Sequence, residues 1–424
     1  MKLNSGKTVR RLGCLLLVAT GFAIPSATFA QTTGSQGASS TPARRLTLQE
    51  ALALADRQNL DIAAARLRRM VSLAGITIAG ERPNPTVSFG ATRDTPHESL
   101  FFDLPVELGG KRSTRMEQAK QEVSLTEVEI STVGRQVRHD VRDAFFAAVL
   151  GASIVDQQAK LVELATKLRD IAKSRFDAGD VPQLEVMQAD LELARAQADL
   201  EVARQEAKIV FGKLAALLNE PAGTTWELVT PLDTMPEQMG LLDLISRATG
   251  ANPELQHLAQ ELKVEQARQK AFQAERVPEL TLEGGADFNS PPDFKVGARG
   301  QLTVGIPVFT RMQGELAQSA ATQKLIEGET LATQRSVAGD VEVAFNEFNA
   351  RVTEVRLYRE TVIPAGRKLE DLAEQSYGAG RTSILAVLDA QRNVQQNERD
   401  YLQSLFELQQ AFAELEQIVG VPLD

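Results

Sequence analysis

The sequence predicts a mainly α-helical protein with a small transmembrane β-barrel contribution, built from one helix–hairpin unit used twice. Three observations predict it: an internal repeat at an offset of about 193–202 residues, two long stretches of helical periodicity, and four short segments where apolar and polar residues alternate.

Composition bounds the partners. The 424 residues carry 46 Lys+Arg against 56 Asp+Glu, a formal net charge of −10, with one Trp and three Tyr. So acidic a chain, so poor in aromatic residues, lacks the basic, stacking surface that nucleic acid needs, and no nucleic-acid partner is expected.

At the N-terminus, Lys2, Lys7, Arg10 and Arg11 precede an apolar run over 12–24, and small residues follow up to Ala30. This is the order of a secretory signal peptide over 1–30, cut after Ala30. Its removal takes four basic residues, no acidic ones and the one cysteine, Cys14. Leu12-Gly13-Cys14 superficially resembles a lipoprotein signal, but a lipidated Cys follows the apolar core and Cys14 precedes most of it. Residues 31–45, rich in Gly, Ser, Thr and Gln, read as a disordered leader. No later stretch reaches roughly 18 consecutive apolar residues, so an exported chain of this kind crosses a membrane as a β-barrel.

Beyond the leader the chain repeats itself. Asn59-Leu60-Asp61 and Asn252-Pro253-Glu254 each precede a helical stretch that ends before a Pro, at Pro83 and Pro278. Leu104-Pro105-Val106 matches Ile306-Pro307-Val308, and Phe176-Asp177-Ala178-Gly179 matches Tyr377-Gly378-Ala379-Gly380. The halves close on Pro221 and Pro422. The first repeat therefore spans 46–221 and the second 241–424, with a linker over 222–240.

The strand candidates follow the short helices. In the second half, Leu280, Leu282, Gly284, Ala286 and Phe288 alternate with polar residues, as do Val296, Ala298, Gly300, Leu302 and Val304. This two-faced pattern over 279–306 fits a barrel strand with lipid outside and water inside. The first half offers a less regular pair over 85–107. Four strands cannot close a barrel, so several copies must pool theirs.

The longest elements are helical. No proline occurs between Val106 and Val181, and Val123, Ile130, Val133, Val137, Val141 and Phe145 recur at steps of three and four or their multiples. One helix over 111–178 would be about 100 Å long at roughly 1.5 Å per residue. A turn over 177–183 ends it, and a second helix over 182–218 completes a hairpin. The second unit repeats this over 311–379, a turn over 378–384 and 382–419, with Pro364 expected to kink its long helix.

Signal peptide, duplicated unit, two short hairpins and very long Ala-rich helices together resemble the TolC outer membrane factor family, the outer membrane efflux proteins. The turns at Gly179 and Gly380 resemble that family's periplasmic tip motifs. The resemblance implies a homotrimer with a twelve-stranded barrel in outer membrane lipid and a helical tunnel through the periplasm. It also implies docking on a periplasmic adaptor and an inner-membrane pump of the resistance-nodulation-division (RND) type. The stretch Leu104-Pro105-Val106-Glu107-Leu108-Gly109-Gly110-Lys111-Arg112 is similar to the CzcC-like, cobalt-zinc-cadmium resistance branch, implying heavy-metal cations as cargo. The rival readings are a channel for drugs or for type I protein secretion, and a poreless periplasmic adaptor or scaffold.

The resemblance also places candidate residues. Glu185 and Asp389 lie just past the tip turns, where relatives carry acidic rings, and are candidates for a periplasmic constriction; Ala386 stands where some relatives have a second acid. Gly179, Asp180, Gly380 and Arg381 are candidates for adaptor docking, although both glycines also suit helix C-caps. Glu283, Asp287, Lys295 and Arg299 are candidates for the barrel lumen. His97, His139 and His257 are scattered, so no metal site is expected, and no cofactor either. Gly109-Gly110-Lys111-Arg112 lacks the spacing of a phosphate loop, and no nucleophile–base arrangement is present, so the chain does not read as an enzyme.

Overall fold

The computed structural model describes residues 44–236 and 239–423; the expected signal peptide, Cys14 and nearly all of the leader lie outside the described residues. In chain order come β1 (Arg44–Leu46), α1 (Leu48–Gln58), α2 (Leu60–Ala79), β2 (Thr86–Ala91), β3 (Glu98–Val106), α3 (Lys111–Asp177) and α4 (Gln183–Leu217). They are followed by β4 (Trp226–Leu228), α5 (Leu241–Ala251), α6 (Pro253–Glu275), β5 (Glu279–Ser290), β6 (Phe294–Gly305), α7 (Gln313–Leu357), α8 (Ile363–Gly378) and α9 (Ile384–Val419). The protein is mainly helical with a four-stranded antiparallel sheet, as its periodicities predict.

That sheet runs β2-β3-β5-β6, so the two hairpins meet through β3 and β5. Leu282 pairs with Leu104 on one side and Leu302 on the other, and Ala286 with Leu100 and Ala298. Because side chains alternate along a strand, this register gathers the apolar residues on one face and leaves Glu283, Gln301 and Asp103 on the other. At about 3.4 Å per residue, the 12 residues of β5 and of β6 reach roughly 40 Å, enough to cross a hydrocarbon core of about 30 Å at a barrel tilt. β2 and β6 are the edges of this sheet.

α3 runs unbroken for 67 residues. One window of it is apolar enough to suit a membrane span by composition alone. Its Phe145, Phe146 and Ala148 pack into the protein core with Leu214, Leu244 and Phe412, and a third of the window is buried within the chain. The second long helix is continuous through Pro364 by a different device. Residues Tyr358–Val362 form one π-helical turn just before it, a register change that accommodates the missing N–H and the proline ring.

The duplication reaches individual hydrogen bonds. Asn59 and Asn252, both buried, are the N-caps of α2 and α6: Asn59 Oδ1 accepts from the amides of Asp61 and Ile62, Asn252 Oδ1 from those of Glu254 and Leu255. Each also donates through Nδ2, at 2.9 Å, to a carbonyl at the end of its own unit's hairpin, Leu217 O or Ile418 O. One side chain thus satisfies the start of one helix and the end of another. The parallel pairing of β1 with β4 was not foreseen: three-residue strands are too short for any periodicity to show. It places Arg44 and Arg45 in a strand and gives the linker region a strand of its own.

Replacing Asn59 or Asn252 by Ala removes a cap and leaves buried amides and a carbonyl unpaired, at a cost of about 1–3 kcal/mol. Thermal melting followed by helical circular dichroism should show a lower midpoint for each variant. A wild-type midpoint would remove the stapling role.

Candidate functional site

Three regions carry the chemistry: the sheet, the junction below it and the helical tips. On the sheet, Val87, Phe89, Leu100, Phe102, Leu302 and Val304 are all exposed on the face shared by Leu282. A two-faced sheet whose apolar face is bare is matched to lipid.

The opposite face holds the expected lumen residues. Arg299 reaches Asp287 at 3.9 Å and lies 5.2 Å over the Phe101 ring. Gly285 pairs with both Phe101 and Arg299, and a Cβ there would stand 2.4 Å from the Phe101 ring, so only glycine leaves room for this stack. Glu283 sits between Asp103 and Gln301, and Lys295 falls on the same face by alternation. The structure therefore joins Asp287 to Arg299, while Glu283 and Lys295 join no ion pair among the described residues. Phe101 was missed because an aromatic residue on the polar face breaks the pattern that identifies the face.

The junction is tied by the first turns of α3. Lys111, 5% exposed, reaches Glu275 at 3.2 Å and Glu279 at 3.8 Å. Arg112 donates to Gly80 O at 2.6 Å, and Arg115 binds Glu107 through both nitrogens. Gly109 and Gly110 are left-handed, and a Cβ on Gly109 would collide with Val277. The stretch from Glu107 to Arg115 therefore locks sheet, α2, α3 and α6 together, and its two glycines serve a backbone turn rather than a phosphate loop.

The tips are built identically. Gly179 and Gly380 are left-handed, at φ 83° and 70°. Asp180 N–H donates to Arg175 O and Arg381 N–H to Ser376 O, both at 2.9 Å, which closes each helix with a Schellman turn. Asp180 and Arg381 are exposed at the ends of these turns.

Beneath them Tyr377, 2% exposed, packs with Leu168, Ala172, Ala189, Ile384 and Val387. Arg175 lies 4.9 Å over its ring, and its hydroxyl donates to Glu185 Oε2 at 3.4 Å. Burial, and then the charge of Glu185, push the Tyr377 hydroxyl above its usual range. Glu185 is thus part of a link between the two hairpins, α3–α4 and α8–α9. Asp389 is exposed instead, and its charge adds to that of Glu192 around Arg392, which binds Glu192 at 2.7 Å. No contact joins Glu185 to Asp389 among the described residues. Sequence reasoning missed Tyr377 and Arg175, although the repeat aligned Tyr377 with Phe176. Similarity could not reveal that one of the pair is buried and the other 40% exposed.

The histidines stay apart. His139 lies between Asp140 at 3.4 Å and Glu414 at 3.6 Å, and among the described residues no group of three or more His, Cys, Asp or Glu is arranged to hold a metal.

The chain matches the family model described as outer membrane efflux protein over residues 50–220 and 244–421. It is 27% identical over 421 residues to the cobalt-zinc-cadmium resistance protein CzcC of Cupriavidus metallidurans, covering 97% of this chain and 100% of that one. It is 31% identical over 166 residues to the outer membrane protein TolC of Vibrio cholerae, covering 33% and 36%. Among solved structures, CusC shares the fold at a TM-score of 0.71 and 15% identity, over 88% of this chain and 92% of that one.

Tyr377→Phe should loosen the tips modestly, since it removes one hydrogen bond worth about 1 kcal/mol. Tyr377→Ala empties the cluster, a loss of about 3–5 kcal/mol. Amide exchange at 178–182 and 379–383 should then rise about fivefold in the first variant and at least about a hundredfold in the second, with the Asn252 junction unchanged. Equal exchange in all three proteins would show that Tyr377 does not hold the tips.

Proposed function

The chain belongs to the outer membrane efflux protein family, and on that premise we propose that three copies of it form a passive duct for heavy-metal cations. Family membership makes it an outer-membrane channel of a tripartite efflux system, reaching into the periplasm, and not an enzyme. In the proposal, the signal peptide 1–30 is removed, the twelve pooled strands sit in outer membrane lipid, and the helices extend toward a periplasmic adaptor and an RND-type pump. Asp180 and Arg381, held outward by Gly179 and Gly380, dock the adaptor. Glu283, Asp287, Lys295 and Arg299 wet the barrel lumen.

The observation that carries the trimer is an unpartnered face whose internal twin is covered. Gln260, Val264 and Ala271 of α6 are 6–7% exposed, and Gln260 donates to Gln121 O of α3 at 3.1 Å. Counted from the Asn caps, their twins on α2 are Leu67, Val71 and Ile78, which are 62–74% exposed. What α3 does for α6 within the chain, α7 of the next copy does for α2. A 200-residue step aligns buried Val137 and Val141 with buried Val337 and Val341, and so puts Ala321 where Gln121 stands. Likewise β6 of one copy meets β2 of the next, since bare strand edges are not tolerated in hydrocarbon.

Metal as cargo rests on the full-length likeness to CzcC, a protein named for cobalt, zinc and cadmium resistance. It is supported by carboxylates at the tips. Three copies bring three Glu185 and three Asp389 side chains toward one axis, a ring of negative charge that concentrates cations. Adaptor contacts shift the tips between two states by untwisting the hairpins, and the Arg175–Tyr377–Glu185 link belongs to the closed one.

Planar-bilayer recordings test the duct. The wild type should show a small, cation-preferring conductance, and a Glu185→Ala/Asp389→Ala double variant should conduct several-fold more with weaker cation preference. Channels indifferent to the change would retire these residues as the constriction. Zinc, cobalt and cadmium tolerance of cells lacking the gene should fall; loss of tolerance only to organic toxins would overturn the metal assignment.

The packing is tested separately by a Leu67→Cys/Ala321→Cys double variant. Oxidation should link its copies covalently into dimers and trimers, whereas either single variant should stay monomeric on denaturing gels. Linkage absent from a folded, conducting double variant would reject the α2–α7 contact.

A further inference from the structure

Within one chain the two hairpins meet at a single joint near the tips. There Leu168 and Ala172 of α3 and Ala189 of α4 pack against Tyr377 of α8 and Leu388 of α9. Setting Gly179 on Gly380 aligns the hairpins residue for residue and gives each member of the joint a twin.

The twins are apolar and bare. Leu168, Tyr377 and Leu388 are 5%, 2% and 6% exposed, whereas Leu369, Phe176 and Met187, which match them, are 53%, 40% and 61% exposed. Exposed apolar residues scattered singly need no explanation, but these three hold the places of a buried cluster. Leu168 is covered by an aromatic residue of a second hairpin, so Leu369 calls for an aromatic residue of a first hairpin. The first hairpin of its own chain is already engaged in the other joint, and neither Phe176 nor Leu369 belongs to that cluster.

The polar ties of the joint have no such counterparts. The Tyr377 hydroxyl donates to Glu185 at 3.4 Å, but the matching residues are Phe176 and Ala386. Arg175 lies over the Tyr377 ring, and Ser376 takes its place in the other hairpin. Arg392 binds Glu192 at 2.7 Å, where the twins are Leu191 and Asn393. The duplication therefore preserves the apolar half of the joint and drops each of these three ties.

We propose that Phe176 and Met187 of each copy pack on Leu369 of the next, rebuilding the apolar cluster between copies without the polar ties that latch it within a chain. The inference rests on the trimer proposed above. The closed tip then has joints of two kinds in alternation, latched within copies and unlatched between them. The unlatched joints give first when the adaptor draws the tips apart, because no hydrogen bond or ion pair of the latch has to break there.

Phe176 and Leu369 are exposed in the single chain, so substituting them leaves its own core intact. The full-length Phe176→Cys/Leu369→Cys protein in lipid vesicles, treated with a short bismaleimide, should run as covalent dimers and trimers on denaturing gels. Each single variant should run as a monomer. Linkage in Leu67→Cys/Ala321→Cys without linkage at the tips would overturn this joint and leave the trimer standing; linkage in neither would remove both. A second measurement supplies the missing latch. Phe176→Tyr/Ala386→Glu places a hydroxyl and a carboxylate across the joint between copies, as Tyr377 and Glu185 stand across the joint within one. Its single-channel conductance should fall at least about twofold below the value obtained by combining the two single variants. Conductances that simply combine would show that Phe176 does not face α9 of the next copy.

Discussion

A backbone hydrogen bond left unmade in hydrocarbon is the constraint on which the rest of this molecule depends. The sheet β2-β3-β5-β6 exposes an apolar face suited to lipid and yet ends in two edges whose amides and carbonyls need partners. Four strands cannot curl far enough to join their own edges. The proposed trimer answers this, and it carries the same adjacency into the helices. α2 follows the same edge of the chain as β2, and α7 the same edge as β6, so whatever closes the sheet also covers the helical faces left bare.

Duplication makes the molecule interpretable, because each half shows what the other needs. The paired asparagine caps and the paired Schellman turns are the same hydrogen bonds made twice, about 193 and 201 residues apart. Where the halves differ, the difference has a physical cause. Tyr377 is buried against the first hairpin while its twin Phe176 stays exposed, since within one chain only one of the two equivalent interfaces between halves can form. Pro364 occurs in the second unit alone and brings a π-helical turn with it.

Charge is used differently along the length. At the junction, Lys111 and Arg115 are satisfied by Glu275 and Glu107, and such enclosed pairs position elements more than they stabilise them. On the sheet, Arg299 is shared between Asp287 and the Phe101 ring. At the tips, Glu185 accepts from the Tyr377 hydroxyl at 3.4 Å, while Asp389 is open to solvent.

Much of this was legible from residues alone. Helical periodicity without proline dictates α3 almost to the residue, alternation of Leu280 to Val304 sets the two faces of the second hairpin, and Gly179 and Gly380 mark the tips. These are local signals: a period, a breaker, a residue that tolerates positive φ. The three-residue pairing of β1 with β4, the Arg299–Phe101 stack and the tie of Tyr377 to Glu185 were decided only by the tertiary structure. Each joins segments roughly 180 to 200 residues apart, and the approach of such segments depends on how helices and strands pack, which no local pattern of residue types encodes.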